Sequence, residues 1–189
     1  GGRDVAGILD GAGKGEIDVV YLLGADEIDM TRLGRAFVIY QGHHGDRGAH
    51  RADVILPGAA YTEKDATYVN TEGRPQRTRL ATFPPGDARE DWKILRALSQ
   101  ALSHTLPFDT LEQLRGRMAE AKPVFAGVDA VAPAPWGAFG EDGPVESAPF
   151  AYPIENYYMT DPVSRCSETM ARCTAEIGPA RGAKTGTHG

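Results

Sequence analysis

The sequence predicts an α/β fold built on a short parallel sheet, and three observations carry that prediction. Three apolar runs, VVYLL, AFVIY and VIL, begin at Val19, Ala36 and Val54. They are nearly continuous in hydrophobicity, the pattern of strands covered on both faces. The links between them, Gly24–Arg35 and Gln41–Asp53, are too long for hairpins and near the minimum for crossovers. From Asp87 onward, leucines recur at helical spacing.

Taken in order, Ile17–Leu23 is the first expected strand, and Gly24-Ala25-Asp26 ends it. The first crossover has room for a short helix at Glu27–Leu33. Ala36–Tyr40 is the second strand; the second link carries Gly42, Gly45 and Gly48, and its pattern fixes no secondary structure. Val54–Leu56 is a third, buried strand that should stop at Pro57, which has no amide to donate to a ladder. Gly58-Ala59-Ala60 keeps the next turn narrow. Thr67–Val69 resumes strand chemistry, Thr71-Glu72-Gly73 reads as a turn, and the chain returns from Arg74 as a hairpin.

Asp87 should cap a helix, with Glu90 three residues later as in a capping box and Trp92, Leu95, Leu98 and Leu102 on one face. Leu111, Leu114 and Met118 mark a shorter helix after Leu106-Pro107. From Lys122 to Tyr152 prolines and glycines break every period, yet aromatic residues persist, unlike a solvated tail. Asp161 and Pro162 then open a last helix with Val163, Cys166, Met170 and Cys173 on a narrow stripe suited to docking. The expected organisation is an α/β domain over 1–121, an extension with a terminal helix over 122–177, and a disordered tail over 178–189.

Bulk properties exclude several classes. A length of 189 residues with 41% hydrophobic content suits one globular core, and no apolar stretch approaches a membrane span, so direct membrane insertion is not expected. A net charge of −6 with scattered arginines argues against nucleic acid as a partner. Two cysteines are too few for a disulfide framework or a typical iron-sulfur cluster. On one helix they would stand roughly 10 Å apart along its axis, too far to bridge, so both are expected to be small packing residues in a reducing compartment. The opening Gly1-Gly2-Arg3, without Met, reads as the start of an excised fragment.

The chemistry-bearing residues concentrate after the second strand. His43, His44, Asp46, His50 and Asp53 are metal-ligand types, but their spacing matches no established ligand pattern, which favours a polar loop bonding backbone carbonyls. Gly11-Ala12-Gly13-Lys14-Gly15 looks like a phosphate loop, yet Gly15 follows the lysine and the strand comes afterwards instead of before. Glu63, Asp65 and Glu72 are the best acidic candidates. They lie past a strand's carboxyl end, where open α/β sheets place ligands.

The run Ala52–Gln76 resembles the signature of the molybdopterin oxidoreductase superfamily: an ADVVLP-like strand, then Glu63, Ala66-Thr67, Asn70 and Glu72-Gly73-Arg74. Tyr40–Lys64 and Tyr152–Cys173 narrow the likeness to the large iron-sulfur subunits of respiratory complex I, and the resemblance runs from about Asp18 to Cys173. It implies a three-layer α/β portion of a molybdopterin-oxidoreductase-like domain with an irregular carboxyl-terminal extension and docking helix. It further implies a non-catalytic structural segment of a proton-translocating NADH:quinone oxidoreductase. The partners would be other peripheral-arm subunits. The location would be the cytoplasmic face of a bacterial inner membrane or the mitochondrial matrix side.

In the superfamily this sheet region helps hold a pterin cofactor, so Asp53, Glu63, Thr67, Asn70 and Glu72 are candidate vestiges of a pterin-side loop. The complex I branch keeps the fold without that cofactor, and no cofactor is expected in this segment. The iron-sulfur clusters are expected upstream. The alternative is a fragment of a true molybdopterin enzyme such as a formate dehydrogenase, in which the same loop would be a working site; HHGDRGAH and YYMTDPVSRCSETMARC argue against it.

Overall fold

The computed structural model describes residues 2–131, 133, 137, 138, 140–145, 147–149, 154 and 156–182, with the backbone alone given at 178–182. The chain divides into two compact units, residues 1–131 and 132–189.

In the first unit, α1 (Val5–Gly13) precedes β1 (Val19–Leu23), β2 (Phe37–Gly42), α2 (Arg47–Arg51) and β3 (Val54–Pro57). The three strands form a parallel sheet in the order β1-β2-β3, with Val20 opposite Val38 and Tyr40 opposite Ile55. Strand alternation sends Val20, Leu22, Val38 and Tyr40 to one face, where they meet Leu9 and Ala12 of α1 and the wholly buried Leu33. Leu33 closes a 3-10 turn (Met30–Leu33) capped by Asp29, shorter than the expected Glu27–Leu33 helix. The Asp29 carboxyl accepts from the Thr31 hydroxyl and amide, which lowers its pKa below the usual carboxylate value.

The other sheet face departs from expectation. Val19, Leu23, Phe37 and Val54 are exposed there, and Ile55 of the edge strand β3, although it lies beside Tyr40 on the helix-covered face, is also about half exposed, against the expectation of a buried β3. Continuous apolar runs signalled two covered faces; within the described residues, the helices cover one.

The helix α1 was not legible in the sequence, because Gly7, Gly11 and Gly13 depress its helix propensity. Asp4 caps it, accepting from the Gly7 amide, and Gly11 and Ala12 are buried against the core. The Gly11–Gly15 run is thus the end of a helix, with Gly15 at φ 73 just beyond it, and not a phosphate loop.

After β3, β4 (Thr67–Val69) and β5 (Pro75–Arg77) form the expected antiparallel hairpin, with Gly73 at φ 80 in its turn. The next helix starts later than expected. Arg89 pairs with the end of β3 through Ala59 N–H to Arg89 O and Arg89 N–H to Pro57 O, so residue 87 lies in a turn, not at a cap. α3 therefore spans Asp91–Ala101, and the Glu90 carboxylate accepts from the Trp92 indole instead of closing a capping box. Leu102, expected on its buried face, is 65% exposed. α4 (Leu111–Ala121) is capped by Thr110. A 3-10 turn, Pro123–Ala126, packs on it, and Asp129 accepts from the Arg77 amide. Residues 122–131, expected in the extension, thereby join the first unit.

In the second unit Asp161 caps α5 (Pro162–Arg165) through the Val163 and Ser164 amides. The Ser164 hydroxyl first, and then these amide bonds, lower the Asp161 pKa. The expected single helix is broken at Cys166–Ser167, and α6 runs over Glu168–Gly182, past the 177–178 boundary where order was expected to end. The break splits the expected stripe: Val163 and Cys166 are exposed, while Met170 and Cys173 are half-buried on α6 beside Thr174, which bonds Asn156. Neither cysteine is buried, contrary to expectation. Trp136, Phe139, Phe150, Tyr152 and residues 183–189 lie outside the described residues.

Candidate functional site

The polar residues that gather at the carboxyl ends of the strands come from four elements. Gln41 sits near the end of β2, after four apolar residues, with no solvent exposure. Its Nε2 donates to the Asp91 carboxylate at the start of α3 (2.8 Å), and its Oε1 accepts from the Tyr21 hydroxyl on β1. Lys64, after the 3-10 turn Tyr61–Glu63, pairs with the other Asp91 oxygen and is largely buried. The chain Tyr21–Gln41–Asp91–Lys64 therefore ties two strands, the post-β3 loop and α3 together.

The network has electrostatic consequences. Burial first, and the Asp91 charge next, raise the Tyr21 pKa above the usual tyrosine value. His43, just beyond β2, is pushed below the ordinary histidine value by burial, then by His44 and Lys64, against the opposing pull of Asp91 and Glu63. The Nδ1 atoms of His43 and His44 lie 2.6 Å apart with the rings edge to face, so one ring donates to the other. This pairing replaces the expected bonds from histidines to backbone carbonyls.

A second buried centre lies on the helix-covered side. Asp26 is 3% exposed and accepts from the Tyr40 hydroxyl (2.8 Å) and the Gly48 amide (3.0 Å). It thereby holds the histidine loop against the sheet. A Cβ on Gly48 would stand 2.7 Å from Tyr40 ring carbons and 2.8 Å from the Asp26 carboxylate, so the loop's close approach requires glycine there. Asp46 caps α2 through the Arg47 amide. Among the described residues, no three His, Cys, Asp or Glu side chains gather as a metal site would require.

The five sequence candidates do not converge. Asp53 lies at the amino end of β3, opposite the strand ends that carry the network; it accepts from the Val38 amide (2.7 Å) and faces Arg51 (3.5 Å). Glu63 lies beside the network, but its carboxylate accepts from the Ala60 amide (2.9 Å). Thr67 is on β4. Asn70 organises the hairpin turn, its Oδ1 accepting from the amides of Glu72 (3.1 Å) and Arg74 (3.0 Å). Glu72 faces Arg74 at 3.4 Å. Asp65 accepts from the Leu80 amide.

The residues that do assemble, Tyr21, Gln41, Lys64, Asp91 and Asp26, were not singled out. A usable signal existed for Gln41, a polar residue ending an apolar strand run. The contacts of Asp91 and Asp26 span 50 and 22 residues, and no local pattern reports them.

A three-stranded parallel sheet with one face covered by helix and turn residues defines an α/β domain. The family model for molybdopterin oxidoreductase matches residues 2–101, just over half of the chain, and the chain belongs to that family. A second model, describing the carboxyl-terminal region of the G subunit of NADH-ubiquinone oxidoreductase, matches residues 130–173.

Relatives sharpen the placement. The chain is 52% identical over 165 residues to the mitochondrial NADH-ubiquinone oxidoreductase 78 kDa subunit of Neurospora crassa, covering 82% of this chain and 22% of that one. It is 46% identical to the NADH-ubiquinone oxidoreductase 75 kDa subunit of Reclinomonas americana, covering 86% of this chain and 24% of that one. It is 45% identical to the G subunit of NADH-quinone oxidoreductase from Rickettsia felis, covering 84% and 24%. The chain thus spans less than a quarter of the length of these curated relatives, and they do not favour the formate dehydrogenase alternative.

Proposed function

We propose that this chain is a structural segment of the large iron-sulfur subunit of respiratory complex I, supporting electron transfer from NADH to quinone without taking part in it chemically. The single observation that carries this reading is the pair of ordered matches, the molybdopterin oxidoreductase model over residues 2–101 and the NADH-ubiquinone oxidoreductase carboxyl-terminal model over 130–173. In this reading the iron-sulfur clusters belong to other parts of the parent protein. The partners are other peripheral-arm subunits, on the cytoplasmic or matrix side of the membrane. No helix among the described residues is long and apolar enough to cross a membrane; in this reading the segment is held at the membrane through the complex.

The family's pterin cofactor does not fit the residues present. Gln41, Asp91 and Lys64 spend their polar atoms on one another at the strand ends, Asp53 stands at the opposite end of the sheet, and Asn70 and Glu72 serve the hairpin turn. The site is a cross-brace in place of a ligand cradle. No catalytic step passes through it, and the segment alone should not oxidise NADH.

The second unit's role is to dock, with Tyr157, Val163 and Ile177 among its exposed apolar side chains. Truncating the parent protein at Glu146 should lower the amount of assembled peripheral arm recovered from membranes. Normal assembly and NADH:quinone activity after that truncation contradict a structural role for the segment.

A further inference from the structure

Both links between the strands lie on one side of the sheet: Leu33 from the first and Ala49 from the second pack with Val20, Leu22, Val38 and Tyr40. The handedness of parallel connections requires this, because right-handed crossovers that advance the same way across a sheet fall on the same face. The steps from β1 to β2 and from β2 to β3 advance the same way. Neither can cover the opposite face.

That face is apolar and open. Val19 pairs with Phe37, and Ile39 with Val54; Val19, Phe37 and Val54 are 55%, 46% and 38% exposed, and Leu23 on the edge strand is exposed as well. At the carboxyl end of β2 the same face is closed over Gln41, which has no exposure and bonds Asp91 at the start of α3. The opening therefore lies over the amino-terminal half of the sheet.

Parallel sheets occur almost only with both faces covered, and a contiguous apolar patch left in water marks a surface that something packs on. Three strands about 4.8 Å apart span about 10 Å between their outer axes, which matches the diameter of one helix with its side chains, about 10–12 Å. We propose that an amphipathic helix from the parent polypeptide, outside residues 1–189, packs across Val19, Phe37 and Val54. The length of chain available supports that source: the matched stretch makes up 22% and 24% of the Neurospora crassa and Reclinomonas americana relatives. Apolar residues three and four positions apart give such a helix the stripe that faces the sheet. It requires only that the polypeptide be longer than this chain, not that it act in electron transfer.

The test introduces Phe37→p-benzoylphenylalanine into the full-length parent protein in cells, keeping an aromatic ring at a partly exposed position. Photolysis is followed by mapping of the adducts by mass spectrometry. Adducts at residues three or four apart, in one stretch of the same polypeptide outside 1–189, are expected. Adducts on a second copy, on another protein or confined to residues 1–189 overturn the assignment, as does the absence of any adduct. A second measurement reads the contact without the probe: Phe37→Asp should lower the Tm of the full-length protein by several degrees, whereas Phe83→Asp, at a site 83% exposed, should not. Equal Tm values for the two variants overturn the helix equally. Truncation at Glu146 tests the structural role of the segment separately, so failure of either reading is told apart from failure of the other.

Discussion

The Tyr40 hydroxyl donates to the Asp26 carboxylate at 2.8 Å, with both residues buried, and this bond fastens the histidine loop to the centre of the sheet. Tyr40→Phe keeps the ring packing and leaves the Asp26 carboxylate to the Gly48 amide. The loss should be about 1–3 kcal/mol, the cost of a buried acceptor left short of a donor. Urea denaturation measures it, and a stability equal to wild type contradicts the assignment.

Leu33 closes the core between α1 and the sheet with no exposure. Leu33→Ala should cost about 2–5 kcal/mol, combining lost transfer energy with the cavity left behind. Leu102→Ala, at an exposed position, should change stability little. The contrast between the two is the informative result; equal losses would mean that the packing core lies elsewhere.

Much of this core was legible before the structure. The runs at Val19, Phe37 and Val54 became the three strands in parallel order, and the Thr67–Arg77 hairpin appeared where Gly73 predicted it. What escaped was set by distant contacts. α1 is a glycine-bearing helix held by burial of Leu9 and Ala12, so tertiary packing overrides its propensity. The α3 start moved because Arg89 was claimed by β3, 32 residues earlier at Pro57. At the site, motif residues such as Asn70 and Glu72 were readable by their types, whereas Gln41–Asp91 joins segments that no local window spans.

Asn70 holds the hairpin turn by accepting from two amides, those of Glu72 and Arg74. Asn70→Ala removes both bonds and should destabilise the hairpin by about 1–2 kcal/mol, while Asn70→Asp keeps the acceptor and most of the stability. Amide hydrogen exchange of residues 67–77 reads this directly. Faster exchange confined to the alanine variant is expected; identical exchange in both variants contradicts the turn's dependence on that oxygen.

His43 gives the fold an acid limit. Its pKa lies below the ordinary histidine value of 6.5, through burial first and then His44 and Lys64. As pH falls below that value, the unfolded chain takes up the proton before the folded one, so stability is fully present above it and declines as pH drops through the folded-state value. His43→Gln should flatten that decline. A stability profile across this range that is unaltered by the substitution contradicts the account. Tyr21, with its raised pKa, sets the opposite limit: stability is lost as pH rises beyond the usual tyrosine value of 10.0.

We propose that the strand-end residues of this molybdopterin oxidoreductase domain, which brace one another, hold no pterin cofactor. Elemental analysis of the purified full-length parent protein tests it most directly. The account predicts iron with no stoichiometric molybdenum or tungsten; one molybdenum or tungsten per polypeptide would contradict it.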